Sequence, residues 1–519
     1  MHDTHFAISI FIVLLLIASG VAMAAKWVRV PYTLLLVIVG LLISPMHFLP
    51  PVHISPDLIL LIFLPALLFE AAWNLRLDHL RENLIPILML AVPGVCVSVS
   101  ILGLILHWGI GLSWGVALLF GSMISATDPV SVLALFRKLS LPTRLTTIVE
   151  GESLFNDGSA VVIFRIILSL VMSATASTPG GLVASTLREF TLVVVGGLAV
   201  GIAIGFAAST LTSYFDDHLL EITLTTIAAY GSFLLAEALH VSPVIAVLLT
   251  GLIIGNYGRR VGMSSSTQMA VNSFWEYAAF VVNSLVFLLI GLEVQLAMLA
   301  ENLRAVAWAV AAMLASRAVA IYGLMPLINR LSKRVPFRWQ HVLFWGGLRG
   351  SLSLALVLSL PTVLPDRSRL VVMIFGAVIF SLLAQGLTVS PLLKWLKFTK
   401  AEPQSKEYDL LQGQLLIETA AKAELDHLQA RGVITERTYD GLARNLSQTH
   451  EALRRRLSEY GDINEAMIEE HTRRIERHLI GIKKARLNEL LQEGVILEET
   501  YRQLIEDLNE RLARLDKQP

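Results

Sequence analysis

Long apolar runs recur along the first 400 positions of this chain, most of them long enough to cross a bilayer, and they constrain its fold more than any other feature. A spanning helix needs about 20 mostly apolar residues to cover roughly 30 Å of hydrocarbon. Thirteen candidate runs fit, at about 6–25, 31–45, 58–73, 84–107, 114–136, 146–172, 190–211, 219–239, 241–256, 274–292, 303–328, 341–360 and 370–396. The second and ninth are short, and the eighth and ninth nearly merge, so the reading spans twelve to fourteen. The first run follows Met1-His-Asp-Thr-His, which lacks the positive charge of a signal peptide, so it reads as a span.

Composition supports a membrane protein. Hydrophobic residues make up 55% of the 519 positions and charged residues 16%, more apolar surface than a soluble fold can hide. Charge is concentrated at the end, where 41 of the 82 Asp, Glu, Lys and Arg residues fall in the last 119 positions. The sequence therefore divides into a membrane body, 1–400, and a charged tail, 401–519. A formal net charge of zero gives no reason to expect a nucleic-acid partner, whereas membrane lipid is required. The single Cys96 excludes a disulfide framework and a thiolate metal site.

Basic residues alternate between connections as the positive-inside rule demands. One set of loops and the tail junction carries Lys26, Arg29, Arg76, Arg81, Arg137, Lys138, Arg144, Arg259, Arg260, Arg330, Lys333, Arg334, Arg338, Lys394, Lys397 and Lys400. The opposite set carries Arg188, Arg304, Arg367 and Arg369. Sixteen against four predicts an outside N-terminus and a cytoplasmic tail, as an odd span number requires. The expected location is a plasma membrane, the inner membrane in a bacterium.

Ionisable groups inside a bilayer cost about 2.5–3.5 kcal/mol each or more, so they mark function. The sixth run holds Glu150-Gly-Glu152-Ser153-Leu-Phe-Asn156-Asp157. On a helix Ser153 stacks on Asp157 and Glu152 on Asn156, each at i, i+4, giving adjoining polar stripes. The alternative is a helix that only lines a polar interface. Mid-run in the fifth span, Thr127-Asp128-Pro129 predicts an unwound stretch, because proline disfavours helix at the residue before it. Such backbone is tolerated only in protein or beside a cavity. There Asp128 meets the positive end of the next half-helix; a simple proline kink is the plainer reading.

The twelfth run carries a matching interruption in Gly346-Gly347-Leu-Arg349-Gly350. Broken helices at corresponding positions of two halves point to a transporter's binding site. Spans one to six and eight to thirteen would then form inverted six-helix repeats with crossed broken helices. A buried Arg349 needs a carboxylate, and Glu152 is its expected partner, leaving Asp157 free to titrate. Glu70 closes the third span and reads equally as interfacial or cavity-lining. Arg165 reads as snorkelling outward, and Arg317 and Glu237 as interhelical pairs or pathway residues. Asn283 and Ser284 read as helix-packing groups. No phosphate loop, zinc motif or dinucleotide fingerprint is present, so no cofactor and no ATP coupling are expected.

Taken together, FLPALLFE at Glu70, SATDPVSVLALF at Asp128, VEGESLFNDGSAVVIF at Asp157, SPVIAVLLTGLIIGN from Ser242 and GGLRGSLSLAL at Arg349 resemble one family. They resemble the sodium/proton antiporters of the first cation:proton antiporter family, which includes bacterial NhaP-type proteins and animal sodium/proton exchangers. The resemblance implies a thirteen-span inverted-repeat fold, a homodimer and elevator-like alternating access. It implies that Asp157 is the ion-binding carboxylate with Asn156 its motif neighbour. Ser153, Asp128 and the Thr127 backbone would be further sodium ligands or their support, Glu70 a contributor, and Glu152–Arg349 a stabilising ion pair. Electrogenic relatives carry two consecutive aspartates where this chain has Asn156-Asp157, which fits electroneutral exchange.

The expected mechanism is competition for one carboxylate. Ionised Asp157, among hydroxyl and carbonyl oxygens, suits sodium or another small monovalent cation, lithium included; protonated, it holds none. Desolvation favours the neutral form of a carboxyl group, which brings proton binding within reach of physiological pH. A potassium/proton or broad cation exchanger is the nearest alternative. A cation channel lacks a repeated pore loop here, and an intramembrane aspartyl hydrolase leaves Arg349 and the paired breaks unexplained.

The tail shows a degenerate repeat at an offset of 62: Lys422-Ala-Glu-Leu425 against Lys484-Ala-Arg-Leu487, and Gly432-Val-Ile434 through Tyr439 against Gly494-Val-Ile496 through Tyr501. Each unit reads as helix, glycine-marked turn, helix, a packed module open to a regulatory role with no effector legible; a solvated coil is the plainer alternative.

Overall fold

A computed structural model describes the chain except residues 1, 26, 28–30, 45–56, 140, 173–178, 215–216, 295, 399–402 and 432, most positions between 462 and 496, and 518–519. Lys26, Arg29 and Lys400 of the basic loops, and Gly432, Lys484, Ala485, Gly494 and Ile496 of the tail repeat, lie outside the described residues. The chain divides into two compact units, Met1–Thr399 and Lys400–Pro519. All regular structure among the described residues is helical.

The first unit begins with α1 (His2–Ala24), α2 (Tyr32–Ile43), α3 (Leu64–Asn74), α4 (Leu77–Glu82), α5 (Leu84–Ala91), α6 (Pro93–Ile110), α7 (Trp114–Ser125), α8 (Val130–Leu139) and α9 (Thr143–Met172). It continues through α10 (Pro179–Thr212), α11 (His218–Ala238), α12 (Pro243–Ile253), α13 (Arg259–Val261), α14 (Ser265–Glu293) and α15 (Leu296–Glu301). It ends with α16 (Leu303–Leu331), α17 (Phe337–Trp345), α18 (Ser351–Leu358), α19 (Arg367–Phe380) and α20 (Gly386–Trp395). Among the described residues eight helical segments are long and apolar enough to cross a membrane, and Ser9–Ala24, Tyr32–Ile43, Leu58–Asn74 and Pro243–Gly258 are shorter apolar helices. Leu16, Leu192 and Ile227 leave more than half of their surface exposed, an arrangement that hydrocarbon, unlike water, does not penalise.

Small residues allow close helix contact. A Cβ on Gly40 of α2 would fall 2.8 Å from Cα of Gly291 on α14, so only glycine lets these backbones meet. Three segments widen to π-helical turns: Leu58–Phe63 before α3, Ile254–Gly258 after α12 and Ser381–Gln385 between α19 and α20. Such turns are rare and often adjoin functional sites.

Both anticipated interruptions are present. The fifth run breaks between α7 and α8, where Ala126 takes an extended conformation before Pro129. In the twelfth, α17 stops at Trp345 and α18 starts at Ser351, across the three glycines.

In the second unit α21 (Pro403–Ala430) and α22 (Glu436–Gly461) form an antiparallel pair, with α23 (Glu498–Lys517) following. The Tyr439 hydroxyl donates to Asp426 Oδ1 at 2.8 Å, pinning the two helices of the first repeat unit together.

Candidate functional site

The two breaks meet. Asp128 N–H donates to the Leu348 carbonyl at 2.7 Å, joining the α7–α8 interruption to the α17–α18 interruption. Each unwound stretch leaves backbone groups without helical partners, and in a bilayer these must be satisfied by protein. Arg349 reaches across the junction, and its Nη1 donates to the carbonyls of Ser125 at 2.6 Å and Ala126 at 3.0 Å. A cation is thus fixed at the negative end of α7. Asp128 serves the opposite role: its Oδ1 accepts from Val130 N at 3.0 Å, capping α8 as the sequence predicts. The approach is tight. A Cβ on Gly350 would fall 2.5 Å from Cβ of Asp128.

Helix α9 runs alongside this junction and supplies the polar stripes. The Ser153 hydroxyl donates to the Thr127 carbonyl, and Asn156 Nδ2 donates to the Ser125 carbonyl at 3.0 Å and to Thr127 Oγ1 at 3.2 Å. Asp157 stands in the electrostatic field of Asp128, Glu152 and Arg349. Asp157 Oδ1 and Asn156 Oδ1 are both buried with no hydrogen-bond partner among the described residues. Buried polar oxygens are normally paired, so the orphaned Asp157 Oδ1 marks a place for a ligand.

Glu152 does not pair with Arg349. Its carboxylate takes both prongs of Arg317 on α16, Nη1 to Oε1 at 2.6 Å and Nη2 to Oε2 at 2.9 Å. Arg317 Nη2 also donates to the Leu343 carbonyl at 3.0 Å. The expected Glu152–Arg349 pair is therefore corrected, for two physical reasons. A bidentate fork occupies both carboxylate oxygens, and Arg349 Nη1 is turned to the Ser125 and Ala126 carbonyls instead. The available signal was Arg317 itself, an arginine midway along an apolar run.

A cavity of about 330 Å³ opens onto these groups. Thr127, Asp128, Ser153 and Asp157 line it, together with Glu70, which is braced by Asn74 Nδ2 at 2.7 Å. Glu70 thus faces the cavity, the second of its two sequence readings. Asn156, Glu152 and Arg349 lie outside the lining and support it. Tyr32, Arg137, Glu150, Glu276 and Asn283 also line the cavity and were not singled out for it; Asn283 had read as a packing group. Glu150 had a signal, since it stands two turns before Asp157 on the same face of α9. Glu276 and Tyr32 had none, because only the tertiary fold brings α14 and α2 here. Among the described residues no three His, Cys, Asp or Glu side chains group to hold a metal ion, whereas carboxylate, hydroxyl and carbonyl oxygens converge on one wall. Such a set suits a hard monovalent cation.

The sodium/hydrogen exchanger transmembrane family model matches residues 10–395. The Na+/H+ antiporter ApNhaP of Aphanothece halophytica is 44% identical over 426 residues, covering 81% of this chain and 80% of that protein. The low-affinity Na+/H+ antiporter NhaS1 of Synechocystis is 41% identical over 426 residues, covering 80% of each. The solved structure of the sodium proton antiporter MjNhaP1 from Methanocaldococcus jannaschii at pH 8 superposes with a TM-score of 0.63 at 20% identity, covering 76% of this chain and 100% of that one.

Proposed function

This chain belongs to the sodium/hydrogen exchanger family, and from that premise we propose that it exchanges sodium for protons across a membrane, one for one. The observation that carries this reading is the unpaired, buried Oδ1 of Asp157 on a cavity whose wall also presents Asp128, Thr127 and Ser153. Ionised, Asp157 holds the cation with help from Asp128, the Thr127 carbonyl and the Ser153 hydroxyl, while Asn156 braces the Ser125 and Thr127 wall behind them. Protonated, it has no lone charge to offer and the cation leaves. Asp128 caps α8 and presents its carboxyl group to the same cavity, to which Glu70 also contributes. Both relatives are named for this exchange, which supports the same chemistry here.

Thirteen crossings follow if the four shorter apolar helices and the broken α17–α18 pair are added to the eight long segments. The two breaks then fall fifth in each of two inverted six-helix repeats. The N-terminus lies outside and the tail inside; the cavity, which reaches the surface at exposed Arg137, opens inward. Alternating access is elevator-like within a homodimer. The cross-braced breaks, with Arg317–Glu152 and Arg349 tying α16, α9 and α7 together, supply a body stiff enough to move as one.

Proteoliposomes test the reading. A sodium gradient should drive proton movement, and an imposed membrane potential should leave its rate unchanged. A two-proton exchanger would respond, since one charge across 100 mV is worth about 2.3 kcal/mol. Current without coupled proton movement would indicate a channel and overturn the proposal; acceleration by potassium alone would replace the substrate.

A further inference from the structure

We propose that Ser381 and Gln385, on the π-helical turn between α19 and α20, are positioning residues that hold the second helix break in register with Asp128. The inference rests on the exchange reading above. Its basis is the fate of the backbone groups freed between Trp345 and Ser351. Arg349 N–H donates to Ser381 Oγ at 2.9 Å, and Gln385 Nε2 donates to the Trp345 carbonyl at 3.4 Å. One turn later Thr388 Oγ1 accepts from Trp345 Nε1 at 2.8 Å. One face of a single helix therefore satisfies both sides of the interruption.

Ser381 is fully buried and Gln385 is 2% exposed, so neither group has water as a substitute. The residue next to the one Ser381 holds is Leu348, whose carbonyl receives the Asp128 amide. The residue it does hold is Arg349, whose side chain caps α7 at Ser125 and Ala126. The Ser381 hydroxyl thus holds the Leu348–Arg349 peptide group itself, whose carbonyl makes one of the two ties that set where Thr127 and Asp128 stand and whose arginine side chain makes the other. Neither Ser381 nor Gln385 lines the cavity, so any effect on cation affinity must pass through that backbone.

The experiment measures sodium-driven proton movement in proteoliposomes for wild type, Ser381→Ala, Ser381→Thr and Gln385→Leu, with half-saturating sodium and maximal rate determined separately. Sodium-dependent stabilisation against heat in detergent gives a second reading of affinity without turnover. Ser381→Ala should raise half-saturating sodium by about threefold to tenfold, one buried hydrogen bond's worth, with the maximal rate per folded molecule within about twofold of wild type. Ser381→Thr keeps the hydroxyl and should restore the wild-type affinity. A purely structural role would lower the number of active molecules and leave half-saturation alone, and that result overturns the proposal. If Ser381→Ala does not fold, Gln385→Leu decides: a raised half-saturation supports the proposal and an unchanged one overturns it. Wild-type protein without sodium-coupled proton movement would instead remove the exchange reading beneath it.

Discussion

Arg317 and Glu152 form a buried two-pronged ion pair that links α16 to α9, with both carboxylate oxygens within 2.9 Å of the guanidinium nitrogens. Removing one partner strands the other charge, typically at about 3–5 kcal/mol. Arg317→Gln and Glu152→Gln should each lower the melting temperature in detergent and reduce folded yield. Neutralising both should recover much of the loss. Arg349→Gln combined with Glu152→Gln should show no such recovery, since those two residues share no bond. Equal rescue by Arg349→Gln would contradict this assignment.

Gly350 has no room for a side chain, because a Cβ there would fall 2.5 Å from Asp128 Cβ. Gly350→Ala should displace Asp128 from the Leu348 carbonyl and abolish or severely reduce transport. Gly231 on α11 has nothing within 4 Å of its would-be Cβ, and Gly231→Ala should be neutral or stabilising by up to about 1 kcal/mol. Transport assays on both variants, normalised to folded protein, check the contrast.

Much of this site was legible in the sequence, and the limits are physical. Pro129 and the glycines at 346, 347 and 350 restrict or release their own backbone, so both breaks could be read locally. The stripes of α9 follow from helical periodicity alone. Choosing between Arg317 and Arg349 as the partner of Glu152 required knowing which α16 or α17–α18 group faces α9, which no local rule contains. Glu276, Tyr32 and the Ser381 contact to the Arg349 amide were hidden for the same reason. Serine and glutamine in an apolar run carry no local signal of which distant backbone they will meet.

Ser153 and Asp128 should tune affinity more than turnover. Ser153→Ala removes a hydroxyl from the cavity wall and should raise half-saturating sodium by roughly threefold to tenfold. Asp128→Asn keeps an oxygen able to cap α8 but removes the charge, and should weaken sodium binding further. Sodium titrations of proton movement decide, and unchanged half-saturation in both would place the cation elsewhere in the cavity.

The central claim is that one carboxyl group, Asp157, carries cation and proton in turn, and its most direct test is sodium-driven proton movement by Asp157→Asn in proteoliposomes. Asparagine preserves the shape of the side chain and keeps an oxygen at the orphaned position, but it neither ionises nor takes up a proton. The account predicts a folded protein with no coupled proton movement at any sodium gradient; substantial sodium-dependent proton movement in that variant would contradict it.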